Sequence, residues 1–506
     1  MSETVHDILR AHQGARAIAA PGRAPLSGPA LAALADEVRA ALNARGIGRG
    51  DRAAIVLPNG PTAATAFAAI AAMCCAAPLN PAYKDQEFEF YLDDLKPKAV
   101  IVAAGSDSPV RGVAAKLGIP LIDLAEDESA PAGAFTLDVS ALPETPAANP
   151  GPAAPEDEAL VLHTSGTTAR PKIVPLRSRN LAASARHIAA SLALAPDDLC
   201  LNVMPLFHIH GLIAATLASL RAGAAVCCTP GFNAFRFFSW LEEEKPTWYT
   251  AVPTMHQAIL LRAPEDDAVK ALANLRFIRS SSASLPPQVM AALEQKFGAP
   301  VIEAYGMTEA AHQMASNPLP PRARKAGSVG IAAGPEVAIM DDDGTLLPQG
   351  ETGEVVIRGP NVTAGYAANP EANAKAFTNG WFRTGDQGML DAEGYLFLTG
   401  RLKEQINRGG EKISPLEVDV ALLDHPDVAE VCTFAIPHDK LGEEVAAIVV
   451  PRAGTAPDPQ AIRDFAAARL AAFKVPRRIL IMEAIPKGPT GKVQRVGLAS
   501  RLGITA

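Results

Sequence analysis

Thr164, Ser165, Gly166, Thr167 and Thr168 lead into Lys172 within HTSGTTARPKIVPL at 163–176. Backbone amides of such a turn form a nest for an anion, the hydroxyls add donors, and lysine brings a charge that needs no fixed geometry. Phosphate is the guest that suits this set. A P-loop requires lysine directly after glycine and directly before Ser or Thr, whereas Lys172 follows Pro171 and precedes Ile173. Taken alone, the stretch also reads as a solvated Ser/Thr turn.

Further segments carry complementary groups. EAYGMTEA at 303–310 offers an aromatic plate in Tyr305, the small Gly306, the Thr308 hydroxyl and the Glu309 carboxylate. Together these can stack a purine, contact a phosphate and hold Mg²⁺. WFRTGDQG at 381–388 sets Asp386 in a glycine-flanked turn, where a carboxylate can accept both hydroxyls of a ribose. GRLKEQINRGGEKISPLEVD at 400–419 carries Arg401, Lys403 and the Gly409-Gly410 pair ahead of a helix starting near Ser414-Pro415. GPTGKVQR at 488–495 places Lys492 in a glycine-rich tail. Singly, these segments have plain structural readings: a strand end, an Asx-turn, a hairpin turn and a surface lysine.

The elements that must position these groups follow an α/β pattern. Residues 26–58 read as an amphipathic helix, a glycine-rich turn and a short apolar strand. The apolar run AATAFAAIAAMCCAA at 63–77 is closed by Pro61 and Pro78 and is short for a membrane span, so a buried helix is expected there. AVIVAA (99–104), AAVCC (224–228), TWYTAV (247–252) and LRFIRSS (275–281) read as strands alternating with helices, as in parallel sheets covered by helices. Residues 127–158 are crowded with proline and alanine and read as a surface connection that delivers the chain to the strand ALVLHT. The glycine-rich loop then sits at a strand's carboxyl end, where α/β sheets place ligands. Turn-rich β segments precede residue 400, and a helix, two strands, a helix and a strand follow it. A large lobe of α/β subdomains with a β-rich part is therefore expected over 1–400, with a small α+β domain over 401–506.

Composition limits the function. The chain has 506 residues, 48% of them hydrophobic, and 46 basic against 54 acidic residues give a net charge of -8. No nucleic-acid or membrane footprint is expected, so an anion must be bound locally. The six cysteines form neither a disulfide framework nor a CxxC metal spacing. MSETVHDILR lacks a signal-peptide layout and RLGITA carries no peroxisomal tripeptide, which makes a cytoplasmic location the expectation.

In order and combination, TSGTTARPK, PLFHIHG, YGMTE, WFRTGD, GRLKEQINRGG and PTGKVQR resemble the motif series of the adenylate-forming superfamily, which includes acyl-CoA synthetases, luciferases and peptide-synthetase adenylation domains. The resemblance implies that Thr164 to Thr168 and Lys172 hold the phosphates of ATP, that Thr308 touches the α-phosphate and that Glu309 holds Mg²⁺. It further implies that Tyr305 packs on adenine with the backbone of Glu303, Ala304 and Gly306, that Asp386 and Arg401 hold the ribose, and that Lys403 is the hinge. Lys492 would serve adenylation from the small, mobile domain. The turn Asn407, Arg408, Gly409, Gly410 and Glu411 would later shape a tunnel for the thiol of coenzyme A. Many members have glycine where this chain has Ile173, a β-branched residue that restricts the backbone beside Lys172.

Within the superfamily, TWYTAVPTMHQAIL, FIRSSSASLPP, EAYGMTEAAHQMASNPLP and INRGGEKISPLEVD look closest to the oxalate-CoA ligases of plants and fungi. A long fatty acid needs an apolar tunnel, whereas oxalate needs donors or a cation for its second carboxylate. The polar set His208, His210, Arg279, Ser280, Ser281, Ser282 and His312 favours a small carboxylic acid. His312 is assigned to the distal carboxylate, with Ser281 and His208 in support. As a strand pair on one face, His208 and His210 could also suggest metal, but no third ligand is evident. A medium-chain or aryl acid-CoA ligase, an enzyme loading a carrier-protein thiol and a silent nucleotide sensor remain alternatives. Lys492 is also a target for a lysine acetyltransferase, because acetylation removes its charge.

Overall fold

A computed structural model describes residues 2–164, 171–272, 274–486 and 493–504. Two compact units emerge. The first comprises Met1–Thr164, Lys172–Val337 and Ile357–Phe382, and the second contains Ala338–Val356 and the chain from Arg383 onward.

Two large sheets organise the first unit. One runs Phe135–Asp138, Leu121–Glu126, Ala99–Ala103, Arg52–Val56, Cys75–Pro78, Glu158–Thr164 and Lys172–Arg177. Its inner pairs are parallel, and its two outermost pairs are antiparallel. The other runs Ile18–Ala19, Ala225–Cys228, Leu199–Asn202, Trp248–Ala251, Phe277–Ser280, Val301–Met307, His312–Ser316 and Ile331–Ala332. Its first six strands are parallel. Parallel strands buried on both faces read as continuous apolar runs, and AVIVA and AVCC do so. The expected mixed α/β class is what the chain adopts.

The alanine-rich run departs from expectation. Pro61–Ala71 is a helix, but Cys75–Pro78 is a strand between Arg52–Val56 and Glu158–Thr164. Alanine suits a tightly packed helix and a fully buried strand alike, so periodicity concealed the switch. The connection at 127–158 also contains a strand, Phe135–Asp138, on the sheet edge.

In the second unit, Ile406–Arg408, Glu411–Ile413, Val428–His438, Gly442–Pro451 and Arg478–Ile481 form one sheet. Helices Pro415–Leu423 and Pro459–Ala467 accompany it, and Ser414 caps the first by accepting the Glu417 amide. Trp381–Leu390, almost all of it in this unit, pairs antiparallel with Leu396–Arg401. Among the described residues no helix is long and apolar enough to cross a membrane.

Candidate active site

Glu158–Thr164 and Lys172–Arg177 form a hairpin in which Thr164 faces Lys172. Ser165, Gly166, Thr167 and Thr168 lie outside the described residues, as does Lys492. Ile173 is buried in the apolar cluster beneath this hairpin, a position that suits a β-branched strand residue.

The segment 303–312 folds by a pinched turn. Val301–Met307 pairs antiparallel with His312–Ser316, and the register shifts between Tyr305 and Gly306. A Cβ on Gly306 would lie 1.9 Å from the His312 carbonyl oxygen, so only glycine permits this approach. Ala311 and His312 carry φ of 48° and 98°, a conformation that L-residues adopt at a cost. Glu303 accepts the Leu285 amide at 2.8 Å, and burial pushes its carboxyl up to about 8. Tyr305 is buried, and Thr308 and Glu309 belong to one 3₁₀ turn.

Glu309 is buried and accepts the Tyr366 hydroxyl at 2.9 Å, while Lys172 Nζ stands 4.4 Å from the centre of the Tyr366 ring. Tyr366 therefore spans the loop lysine and the acidic residue. Sequence reading missed it because it lies 57 residues beyond Glu309 in a turn-rich stretch. Burial and the neighbouring carboxylate raise the Tyr366 pKa, which keeps the phenol a donor. Carboxylate oxygen is the hard ligand Mg²⁺ prefers, and Mg²⁺ commonly takes one or two carboxylates with substrate phosphates. Glu309 fits that use, and among the described residues no cage of three or more His, Cys, Asp or Glu is gathered.

Much of the polar set forms a second cluster. His210 begins a π-helix, His210–Leu217, rather than sharing a strand face with His208, which correlates with the turn imposed by Gly211 against the Pro205 carbonyl. His210 Nδ1 is 3.0 Å from Ser282 Oγ and Nε2 is 2.6 Å from Thr250 Oγ1. The His210 and His312 rings are 5.0 Å apart. Burial, then the nearby His312 and Arg279, hold His210 well below the ordinary imidazole range. Arg279 is fully buried, and burial pushes it down to about 10. Ser281 is buried and donates to the Ala304 carbonyl at 2.8 Å, whereas Ser282 meets His210. His208 is half-buried beside Phe207.

In the second unit Asp386 is within the strand Trp381–Leu390 rather than a turn, opposite Arg401, and pairs with its guanidinium at 3.1 Å. Strand pairing through 381–401 overrides the local Gly-Asp turn signal. Lys403 is exposed in the short helix Leu402–Glu404. Gly409 and Gly410, at φ 62° and 98°, form a two-residue hairpin turn between Arg408 and Glu411. Arg408 pairs with Glu444 at 2.7 Å, and Asn407 Oδ1 accepts the Gly410 amide.

The sequence profile of AMP-binding enzymes matches residues 6–367, and that of the AMP-binding enzyme C-terminal domain matches 417–492. The chain belongs to the AMP-binding enzyme family. A probable CoA ligase of Humulus lupulus is 48% identical over 95% of this chain and 92% of its own. An oxalate–CoA ligase of Arabidopsis thaliana is 45% identical over 98% and 97%. The crystal structure of ATP-bound MatB from Rhodopseudomonas palustris superposes with a TM-score of 0.88 at 30% identity, covering 99% of each chain. This family membership accounts for the order of motifs that spans most of the sequence.

Proposed function

We propose that the chain is an ATP- and CoA-dependent ligase that activates oxalate. The near-full-length likeness to an oxalate–CoA ligase supports the substrate. The observation in the chain itself that carries it is a buried polar cluster of His210, His312 and Arg279, which suits a small dicarboxylic acid better than an apolar chain.

A carboxylate is a poor acyl donor because its oxygen leaves badly. In the first step a carboxylate oxygen of the acid forms a bond to the α-phosphorus of ATP, and the bond to pyrophosphate breaks. In the second, the sulfur of the CoA thiolate bonds to the acyl carbon and AMP leaves. Both reactants of the first step are anionic, so donors and cations aimed at the phosphate dominate catalysis. Thr164 to Thr168 and Lys172 hold the β- and γ-phosphates, Thr308 the α-phosphate, and Lys492 stabilises its developing charge. Tyr305 and the 303–306 backbone take adenine, and Asp386 with Arg401 takes the ribose. Glu309, oriented by Tyr366, holds Mg²⁺, which when bound neutralises phosphate charge. Asn407 to Glu411 shape the thiol path once the domain beginning near Arg401 swings about Lys403. His312, His208 and Ser281 line the acid site. The enzyme acts in the cytoplasm, and acetylation of Lys492 would stop the first step.

The test is AMP release from Mg-ATP with oxalate, malonate, acetate, hexanoate and benzoate, each with and without CoA. CoA-dependent turnover of oxalate above the others is expected. Preference for hexanoate or benzoate would overturn the substrate while keeping the reaction.

A further inference from the structure

Arg279 lies in the strand Phe277–Ser280 and is 0% exposed. An arginine buried this deeply ordinarily meets a carboxylate, because an unpaired charge loses its hydration without compensation. Among the described residues it has no such partner. Its Nη1 donates to His210 Nε2 and its Nη2 to Gln313 Oε1, both at 3.3 Å, and its buried Nε has no acceptor. Gln313 adjoins His312, so the guanidinium holds together the two elements that carry the facing imidazoles.

The contact to His210 has a directional consequence. A guanidinium only donates, so an Nε2–H on His210 would point one hydrogen at another beside a fixed cation. With Nε2 as a lone pair, Arg279 and the rotatable Thr250 hydroxyl both donate to it. The ring proton is then on Nδ1 and donates to Ser282 Oγ at 3.0 Å. Ser282, exposed and at φ 74°, accepts that proton through its oxygen and keeps its own O–H as a donor. Donors thus run in one direction, from the buried cation to the exposed Ser282, and such an array attracts an anion.

We infer that Arg279 is a positioning residue for selection of a doubly charged acid, holding His210 as its neutral Nδ1–H tautomer so that the chain of donors faces the acid's second carboxylate. The inference rests on the acid-activating role proposed above and assigns the source of dicarboxylate preference within it. The groups acting on His210 agree with a neutral ring: His312 on the adjoining strand, Arg279, His256 and His208 all oppose its protonation, and no carboxylate is among them. Of the helices packed on His210–Leu217, Pro61–Ala71 brings no titratable side chain, and Arg179, Arg186, His187 and Arg221 of the other two are not among the groups acting on the ring. Cys200 on the strand below acts on Arg279, and burial keeps its thiol protonated.

The experiment compares the full-length enzyme with Arg279→Met and Arg279→Lys. Arg279→Met is expected to raise KM for oxalate roughly tenfold or more at about pH 8 while KM for ATP is unchanged, with a smaller effect on acetate. Near pH 6 part of that loss should return, because His210 relieved of the fixed cation can take a proton and supply the missing charge. Wild-type enzyme should show no such recovery, and Arg279→Lys should retain most of the oxalate affinity. In parallel, ¹⁵N shifts of labelled histidine, assigned with His210→Asn, should show the Nδ1–H tautomer in wild type and in Arg279→Lys. An Nε2–H tautomer in wild type, or an Arg279→Met effect equal for all substrates and flat in pH, would overturn the inference. If wild type ignores oxalate, the substrate proposal fails, yet the tautomer and the contrast between singly and doubly charged acids still decide the role of Arg279. Should Arg279→Met fail to fold, the wild-type tautomer and Arg279→Lys suffice.

Discussion

Arg279 is fully buried and Arg495 largely so, yet their surroundings differ in kind. Arg495 pairs with Asp419 at 2.8 Å and Glu404 at 3.2 Å and donates to the Thr433 carbonyl at 2.8 Å. Its charge is answered inside the second unit, tying the segment after Lys492 to the helix Pro415–Leu423 and to the turn at Lys403. Among the described residues Arg279 is answered only by neutral groups, an imidazole and an amide. A neutralised cation is a structural fastening, whereas one left without a carboxylate keeps its field for a guest. The same residue type thus marks a clamp in one unit and a candidate recognition element in the other.

The largest effect that would sharpen this contrast is expected for Arg495→Met. Removing one member of a buried pair strands the other charge, so the second unit should lose about 3–5 kcal/mol, read from its unfolding transition in denaturant. Asp419 then has a direction of its own. Burial already raises its pKa above the ordinary carboxylate value, and loss of the guanidinium raises it further. An unfolded chain releases that proton at lower pH than the folded one, so stability is full at low pH and is lost as pH rises through the folded pKa. Arg495→Met should therefore be less destabilised near pH 5 than near pH 8. An equal loss at both would show that packing, rather than the stranded carboxylate, is responsible.

The buried imidazoles of the first unit should respond to pH in the opposite sense. His210 and His256 are buried with lowered pKa values, that of His256 down to about 3, chiefly through burial. Depressed imidazoles favour folding above the unfolded value of about 6.5, and that contribution is lost as pH falls below it. Each should cost on the order of 1.4 kcal/mol for the first full pH unit below that value, about 2.8 kcal/mol for the pair. The Glu303 carboxyl, raised to about 8, works in the other direction over this range, so the ring's own share is read as a difference: calorimetry from pH 7 to 5 should show acidification costing the wild type more than His256→Gln, by on the order of 1.4 kcal/mol per pH unit. No difference between the two profiles would mean that the His256 ring is hydrated or already charged.

How far sequence alone reaches differs between the two regions for physical reasons. The anion loop is legible because hydroxyls, glycine and lysine are contiguous, and its support by the hairpin Glu158–Arg177 follows from the strand ALVLHT. Arg279 is legible as a charge within an apolar strand. That no described residue brings it a carboxylate is not, because this depends on the distant elements packed around it. Asp386 shows the reverse failure: its flanking glycines speak for a turn, but pairing with Leu396–Arg401 makes it a strand residue facing Arg401. The alanine run at 63–77 hides a helix and a strand because alanine carries no period-specific information. Tyr366 has no local signal, and its long-range contacts with Glu309 and Lys172 distinguish it from any turn tyrosine.

Tyr366 also supplies the smallest effect that bears on the comparison. Its ring lies under Lys172 and its hydroxyl reaches Glu309, so it joins a cation and an anion through one neutral side chain. Tyr366→Phe keeps the ring contact and removes only the O–H. A hydrogen bond to a charged group contributes about 1.5–3 kcal/mol, and water replacing the phenol would recover part of it, so the half-saturating Mg²⁺ concentration for AMP release should change by roughly tenfold or less. A shift in Mg²⁺ dependence with KM for the acid unaltered would place the Lys172–Tyr366–Glu309 group on the nucleotide side of the chemistry, separate from the Arg279 cluster. If Tyr366→Phe instead raised KM for oxalate as strongly as Arg279→Met, the two clusters would act as one site, and the assignment of acid selectivity to Arg279 would have to be shared.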